Sequence, residues 1–277
     1  MTTAQKIIKY IAIAIAACLI VGIVSGIIQV VGLISNVLSR NDEQTDEGNY
    51  INLIEMENVS VLDIELGYAQ LTIKTGDKFK VETNDKSITA KLENNKSKLT
   101  LEEPQKLIHS TDGATVIIYV PEEAVFDLVE IESGAGTIIV ESLSVKKISL
   151  DLGAGKAEFD ELFVTKAADI DCGTGLTVIK GGTINNLDIE IGVGKTEITS
   201  NLTGNCYIEN GIGTANIKIL NSQENYTVNT SSGIGTVSVN GQNISKDSTI
   251  GNGENLIKIS GGIGNVSLSF ETELPEK

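Results

Sequence analysis

The chain has 277 residues, with 21 basic and 37 acidic side chains and a net charge of −16. The first 40 residues carry three bases and no acid, so the remainder has a net charge of −19. Such a surface repels phosphates, which excludes nucleic acid as a partner. The three cysteines are too few for the disulfide framework of a small secreted domain, so stability must come from the fold itself.

An apolar segment opens the chain. Residues 10–39 contain no charged side chain. A helix needs roughly 20 apolar residues to cross a hydrocarbon core of about 30 Å, so this segment predicts one transmembrane α-helix. Lys6 and Lys9 precede it and an acidic stretch follows it. This asymmetry predicts a cytoplasmic tail over residues 1–9 and an extracellular location for everything after the span.

The apolar segment has two alternative interpretations. A cleaved secretory signal has a shorter apolar stretch, of roughly 7–15 residues. Residues 15–18 also match a bacterial lipobox, in which Cys18 would carry a lipid. The chain stays apolar over residues 19–28, where a lipoprotein would turn polar, so we expect residues 10–39 to span the membrane and to have membrane lipid as their partner.

An acidic linker is predicted over residues 40–58, followed by a β region over residues 59–121. Within that region, residues 59–74 and 79–102 alternate apolar and polar side chains, which is typical of strands exposed on one face. We expect the region to cap the N-terminal end of the structure that follows.

A repeated Gly-x-Gly pair then dominates the chain, with spacings of 19, 20, 19, 19, 22 and 29 residues. A degenerate earlier copy has Gly67 followed by Ala69 in place of the second glycine. The seven complete pairs are Gly134 and Gly136, Gly153 and Gly155, Gly173 and Gly175, Gly192 and Gly194, Gly211 and Gly213, Gly233 and Gly235, and Gly262 and Gly264.

Apolar residues alternate on both sides of these glycines. Three residues before the first glycine stand, for example, Ile131, Leu150, Ile170 and Ile189, and the second and fourth residues after the pair are again apolar or small. Each repeat therefore predicts two strands joined at the glycines. A unit of about 19 residues cannot bury its apolar face alone, so neighbours must stack.

The predicted fold class is accordingly all-β: a β-solenoid-like array of about 19–20 residues per coil over residues 122–270, preceded by one transmembrane α-helix. An up-and-down antiparallel sandwich is the competing architecture, but it does not explain why chemistry and spacing repeat together. The irregular last repeats and the tail over residues 271–277 are expected to close the far end.

The glycines themselves could suggest a phosphate-binding loop. A dinucleotide fingerprint requires a third glycine and a following helix, whereas every copy here leads into another strand. We therefore interpret the pairs as structural corners, at which glycine reaches a positive φ without steric cost and stacked backbones approach closely.

Acidic residues recur two positions before the first five complete glycine pairs, and four of them, Glu132, Asp151, Asp171 and Glu190, form a predicted ladder on stacked coils. Like charges about 4.8 Å apart repel, so either a divalent cation such as Ca²⁺ binds them or ordinary salt screens a solvated face that prevents edge pairing. Ca²⁺ is the only cofactor that the sequence suggests.

Carboxylates on neighbouring coils also allow a carbohydrate-active enzyme as an alternative. The chain has no Trp, six Tyr and five Phe, so it lacks the aromatic platform that usually holds a sugar. His109 is its single histidine, which leaves little material for a Ser/His triad or a His-based metal site. We predict no catalytic residues.

The apolar N-terminal span, the strand Ile117-Ile118-Tyr119-Val120 ended by Pro121, and the I-x-x-G-x-G-x-x-x-V units together resemble the bacterial putative-adhesin β-strand repeat family, a domain of unknown function. The resemblance implies a Gram-positive-type cell envelope and supplies no catalytic residue.

The combined prediction is a membrane-anchored cell-surface protein without enzymatic activity, either an adhesin or an envelope-stress scaffold. Its partner would be an unidentified envelope protein or glycan. A third hypothesis is a signalling partner whose span contacts another membrane protein through Gly22 and Gly26.

Overall fold

The computed structural model of the protein describes residues 50–56, 59–93, 97–104, 113–244 and 247–271. The predicted cytoplasmic tail, transmembrane helix and lipobox, most of the predicted linker and C-terminal tail, and His109 lie outside these residues. Within the described ranges, no helix is long and apolar enough to span a membrane.

Fifteen strands account for most of the described residues. They are β1 (Ile51–Met56), β2 (Val61–Leu66), β3 (Gln70–Thr75), β4 (Phe79–Thr83), β5 (Thr89–Glu93), β6 (Lys98–Glu102), β7 (Thr115–Val120), β8 (Phe126–Ile179), β9 (Gly182–Asn185), β10 (Leu187–Thr203), β11 (Asn205–Ile219), β12 (Tyr226–Val239), β13 (Gln242–Asn243), β14 (Ser248–Gly251) and β15 (Asn255–Phe270). A three-residue 3₁₀ turn, Gln223–Asn225, precedes β12. Strand β1 begins inside the segment predicted as a linker.

The repeats stack as parallel rungs in the predicted register. Ile189 pairs with Ile170 on one side and with Ile208 on the other, and Gly194 pairs likewise with Gly175 and Gly213. The stacked positions form a continuous interior ladder in which no side chain is more than 1% exposed: Leu101, Ile64, Ile131, Leu150, Ile170, Ile189, Ile208 and Ile259. The all-β class and the solenoid-like repeat are confirmed.

Each rung in the middle of the array has a third side that the sequence analysis did not predict. Strand β9 pairs in parallel with residues 162–164 of β8 and with residues 201–203 of β10. Its interior residue Ile184 is buried between Val164 and Leu202, which are buried as well. The chain therefore turns three times per rung, and the glycine pair marks one of the three turns.

The last two repeats stack out of chain order. Strand β15 lies between β11 and β12, pairing in parallel with both. After β11 the chain skips one rung position, forms β12, adds β13 and β14 antiparallel to β12, and returns to fill the gap with β15. This path explains the long spacings of 22 and 29 residues, and it places the last two repeats at the far end of the array in reversed order.

The corner glycines of these two repeats change places accordingly. Gly213 pairs with Gly264 of the last repeat, and Gly264 in turn pairs with Gly235. Chain order would put Gly235 directly after Gly213, and the return path of the chain reverses the two corners. Both residues nevertheless lie at corners. Gly264 has the positive φ expected of a corner, +146°, whereas Gly235 does not, so Gly235 is required only for close approach to the backbone of Gly264.

Antiparallel strands also cover the other end. Strands β6 and β7 pair in parallel with β2 and β3, so together they form the outermost rung there. Strand β5 then pairs antiparallel with β6, β4 with β7, and β1 with β4. Antiparallel additions therefore terminate the parallel stack at both ends, which limits open edges.

The close stacking of corners explains the glycines. A Cβ at Gly175, where φ is +146°, would overlap the carbonyl oxygen of Gly155 in the rung below. At the first corner, the described group that contacts the backbone of Tyr68 and Ala69 is the Glu103 side chain and not a stacked glycine pair, so Ala69 is tolerated at the equivalent position, where it is buried. Glycine is required wherever one corner rests on another.

We expect Gly175→Ala to lower the free energy of unfolding by roughly 2–5 kcal/mol, because the new methyl group meets a backbone oxygen in a conformation that only glycine adopts easily. Gly67→Ala is the matched control, since the nearest atom to a Cβ there is a Glu103 carboxylate oxygen at 3.7 Å. Urea unfolding of both variants measures the difference. Equal midpoints for Gly175→Ala and the wild type would refute the stacking explanation.

Candidate functional site

One outer surface of the array is lined by carboxylates. We call it face A and define it by the outward residues two and four positions before each glycine pair. Pairing between rungs aligns these residues in two columns. The first column is Glu102, Glu65, Glu132, Asp151, Asp171, Glu190 and Glu209, and the second contains Asp63, Glu130, Asp169 and Asp188, with Ser149 between the second and third members.

The structure brings the four predicted ladder residues together. Glu132, Asp151, Asp171 and Glu190 are exposed and lie on four consecutive rungs. Adjacent strands in a sheet lie about 4.8 Å apart, so each carboxylate has a like-charged neighbour above and below. The structure therefore contains the stacked carboxylates of the predicted ladder.

A depression of about 270 Å³ lies where the two columns run side by side. Six carboxylates line it, those of Asp63, Glu130, Glu132, Asp151, Asp169 and Asp171. Its chemistry suits a cationic group and no other class, because carboxylates accept hydrogen bonds and attract positive charge.

The neighbouring surface, face B, handles its charges differently. We define face B by the outward residues that follow each glycine pair. Here Lys180 contacts Asp160 at 2.8 Å and also pairs with Glu158, and Lys195 contacts Glu197 at 2.6 Å. Bases and acids alternate on this face, so most of its charge is neutralised locally.

Face A has such partners only near its N-terminal end, where Lys98 contacts Asp63 at 2.7 Å and Lys91 contacts Glu102 at 2.7 Å. Among the described residues, no salt bridge involves the eight acids from Glu130 to Glu209 in the two columns. Face A is thus an uncompensated acidic surface beside a compensated one.

The two faces shift carboxyl pKa values in opposite directions. Partial burial, followed by the charges of Asp169, Asp151 and Asp188, raises the pKa of Asp171 above its ordinary value of 3.8. Hydrogen bonds from Lys156 and Lys180 lower the pKa of Glu158 below 4.5, against the effect of its burial. Ionised Asp171 therefore destabilises the folded chain, and ionised Glu158 stabilises it.

We expect Asp171→Asn to raise the melting temperature at neutral pH. The folded chain holds the Asp171 proton more tightly than the unfolded chain, so the gain should vanish as pH falls through the raised pKa towards 3.8. Glu158→Gln is the matched control of opposite sign: it should lower the melting temperature at neutral pH, and its deficit should disappear only as pH falls below 4.5 through the lowered pKa. Thermal melts across this pH range test both. A gain for Asp171→Asn that does not change with pH would contradict the assignment.

The predicted Ca²⁺ ladder requires carboxylates that converge on one ion. In the part of the chain that the structure describes, no group of three or more His, Cys, Asp or Glu side chains could hold a metal ion. The carboxylates follow one another along columns instead of converging on one point, whereas Ca²⁺ takes 6–8 oxygen ligands. Ca²⁺ binding stays a prediction of the sequence.

We expect millimolar Ca²⁺ to raise the melting temperature no more than NaCl at equal ionic strength does, because screening alone relieves repulsion within the columns. Melts in both salts measure this. A shift specific to Ca²⁺ that is lost in Asp171→Asn would establish a cation site instead.

Sequence reasoning missed one residue of structural importance at the first corner. The Glu103 carboxylate accepts hydrogen bonds from the backbone N–H groups of Tyr68 at 2.9 Å and Ala69 at 3.1 Å. In the next rung the equivalent N–H, that of Ala135, donates to the carbonyl oxygen of Gly67. Among the described residues, Glu103 thus supplies the acceptor that a preceding glycine corner supplies elsewhere, and the departure from glycine at Ala69 was the signal in the sequence.

These features define a class of protein: an all-β repeat array with glycine corners and one acidic face. The family profile of Toastrack DUF4097 matches residues 55–268, which is more than half of the chain. The chain therefore belongs to the Toastrack DUF4097 family. The resemblance to the putative-adhesin β-repeat family is confirmed.

Solved structures similar to the chain include a putative cell adhesion protein from Clostridium sporogenes, with 14% identity, a TM-score of 0.36, and coverage of 80% of this chain and 99% of the other. A putative adhesin from Bacteroides fragilis has 12% identity, a TM-score of 0.40, and coverage of 79% and 97%. One from Parabacteroides distasonis has 13% identity, a TM-score of 0.36, and coverage of 80% and 98%. A search of curated proteins finds no match to the chain.

Proposed function

We propose that the protein is a membrane-anchored binding scaffold of the cell surface without enzymatic activity, in the role of an adhesin or an envelope-stress module. The apolar segment over residues 10–39 would anchor it, and Lys6 and Lys9 would keep the N-terminus in the cytoplasm. Membership of the Toastrack family is consistent with this role, as is a repeat array that presents one surface over many rungs.

The observation that carries the proposal is the uncompensated charge of face A. Eight carboxylates repel one another there without counter-charges, while the adjacent face is neutralised by its own lysines. A basic partner would relieve this repulsion on binding. The free energy of association would therefore include the release of electrostatic repulsion that is present in the free protein. Binding is the activity that such a surface supports best.

The partner's chemistry follows from the site. The depression is lined by six carboxylates, among them Asp63, Glu130 and Asp151, and by the Ser149 hydroxyl, so cationic donors are the groups that it favours. Lysine and arginine side chains of an envelope protein meet this requirement, and so do the amino groups of a glycan. We propose a basic segment of an envelope protein, because its repeating charges can span several rungs.

The carbohydrate-active alternative gains no support from the described residues. Face A carries equivalent carboxylates rung after rung, without a pair that is set apart by its surroundings as an acid and a base would be. Asp171, whose pKa is raised, sits among further ionised acids and beside no aromatic side chain.

The test compares two triple variants that remove the same charge. Glu132→Gln, Asp151→Asn and Asp171→Asn neutralise face A, and Glu158→Gln, Asp160→Asn and Glu197→Gln neutralise face B. Full-length protein is titrated with oligolysine, and intact cells are treated with a membrane-impermeant cross-linker. We expect the face A variant to bind oligolysine about tenfold more weakly and to lose its cross-linked partner, because the three acids changed on face A have no lysine partner in the described ranges, whereas those changed on face B do.

The face B variant should keep both properties, and binding by the wild type should weaken steeply with salt. Equal loss in both variants would show that net charge, not face A, governs binding. A complete lack of cross-linking on intact cells would contradict the extracellular location.

A further inference from the structure

A row of exposed aliphatic side chains runs along the glycine corner at the C-terminal end of the stack. Each belongs to the residue between the two glycines of a rung. Val193 is half-buried, whereas Ile212, Ile263 and Ile234 are 50%, 52% and 78% exposed. Val193 pairs with Ile212, Ile212 with Ile263, and Ile263 with Ile234, so the four residues occupy consecutive rungs. We call them the aliphatic ridge.

In the preceding rungs the residue between the two glycines is small: Ala135, Ala154 and Thr174 occupy this position. The flanking glycines carry no side chains, so each isoleucine projects from a narrow edge. Single exposed isoleucines are common, but three in adjacent rungs form a contiguous apolar strip, which indicates an interaction surface.

The acidic columns end partway along the ridge: their last member, Glu209, lies in the rung of Ile212, and the two rungs beyond it contain no acid. Strand β12 contains no charged residue, and β15 contains only Lys258. The first face A column continues past Glu209 as Ser260 and Ser231, and the other flank of the ridge carries Asn265 and Thr236. In a chain with a net charge of −16, this is the surface on which a second copy meets the least repulsion.

The rung spacing restricts what can cover the ridge. Its side chains follow one another at the strand separation of about 4.8 Å, and a row with the same repeat can interdigitate along its full length. The ridge of a second copy has that repeat, and a two-fold axis makes one ridge complementary to another. A lipid surface fits poorly, because the acidic chain repels anionic headgroups.

The end corners also argue against an open filament. Continuing the stack head to tail would require free N–H groups at the first corner of the next copy. Those of Tyr68 and Ala69 already donate to Glu103. Pairing side by side about a two-fold axis therefore remains, and it closes after two copies.

We infer that the aliphatic ridge pairs with the ridge of a second copy of this chain, in antiparallel orientation, to form a homodimer. This pairing goes beyond the proposed function and does not depend on whether face A binds a basic partner. It would turn the two acidic faces of the dimer outward as a bivalent surface.

Cross-linking of the full-length chain tests the pairing. In a Cys18→Ser background the remaining cysteines, Cys206 and Cys172, are buried and partly buried and are not disulfide-bonded. Ile263→Cys places a thiol in the ridge, and Ala154→Cys places one at an equivalent corner outside it. A short bismaleimide, applied to membranes and to detergent-solubilised protein, should give about tenfold or more dimer with Ile263→Cys than with Ala154→Cys.

A second substitution separates the ridge from charge. Adding Ile234→Asp to Ile263→Cys should abolish the cross-linked dimer, because it buries a carboxylate in the apolar contact, while adding Ala154→Asp should leave it unchanged. Thermal melts verify that each variant is folded. The inference is wrong if Ile263→Cys gives no more dimer than Ala154→Cys. It is equally wrong if dimer persists with Ile234→Asp, if Ala154→Asp removes it as well, or if Ile263→Cys links only to a different protein.

Discussion

The close approach of successive corner backbones is the constraint on which this molecule depends. At Gly175 the carbonyl oxygen of the previous corner occupies the space that a Cβ would need. A corner residue that rests on the previous corner must therefore be a glycine, and this requirement fixes the register between rungs. Once the register is set, successive side chains of each strand point alternately inward and outward. Ile170 and Ile189 therefore pair inside the array, while Asp171 and Glu190 pair on its surface. One spacing in the chain produces both the core and the charged columns.

The same register places like charges next to one another on the surface, where they repel. On face B, lysines such as Lys180 and Lys195 lie among the acids and offset this repulsion, although exposed ion pairs contribute little stability individually. Face A leaves these like charges unpaired over the middle rungs, and partial burial, followed by the neighbouring charges, raises the pKa of Asp171 there. Proteins retain destabilising local features mainly where a function requires them, which is the reason to locate binding on face A.

The sequence predicted the features that repeat locally and missed those that depend on the path of the chain. Glycine pairs and alternating residues such as Ile131 and Leu150 have a short period, so both the corners and the interior ladder could be read directly. The order of the last corners could not, because Gly235 and Gly264 carry the same local pattern and only the chain's return path decides which of them meets Gly213. The third side was missed because no repeated Gly-x-Gly pair marks its buried residues, among them Ile184.

The same distinction applies to the charged surface. The positions of the acidic columns could be predicted, since they follow from the repeat period. Their lack of salt-bridge partners could not, because it depends on where each lysine lies in space. Lys180, for example, reaches both Glu158 and Asp160 across two rungs of face B, and no local pattern indicates that contact. The transmembrane helix lies outside the described residues and stays a prediction.

The interleaved placement of β15 means that the C-terminal end of the array cannot be shortened one unit at a time. Removing residues 255–270 would separate β11 from β12 and uncover apolar interior on both, including Ile208 and Val228. During synthesis, the final two layers cannot assemble until the last strand has left the ribosome, because it is the piece that joins them. A product that lacks β15 would therefore expose apolar interior side chains of β11 and β12. Exposed apolar surface of this kind is what quality-control proteases recognise.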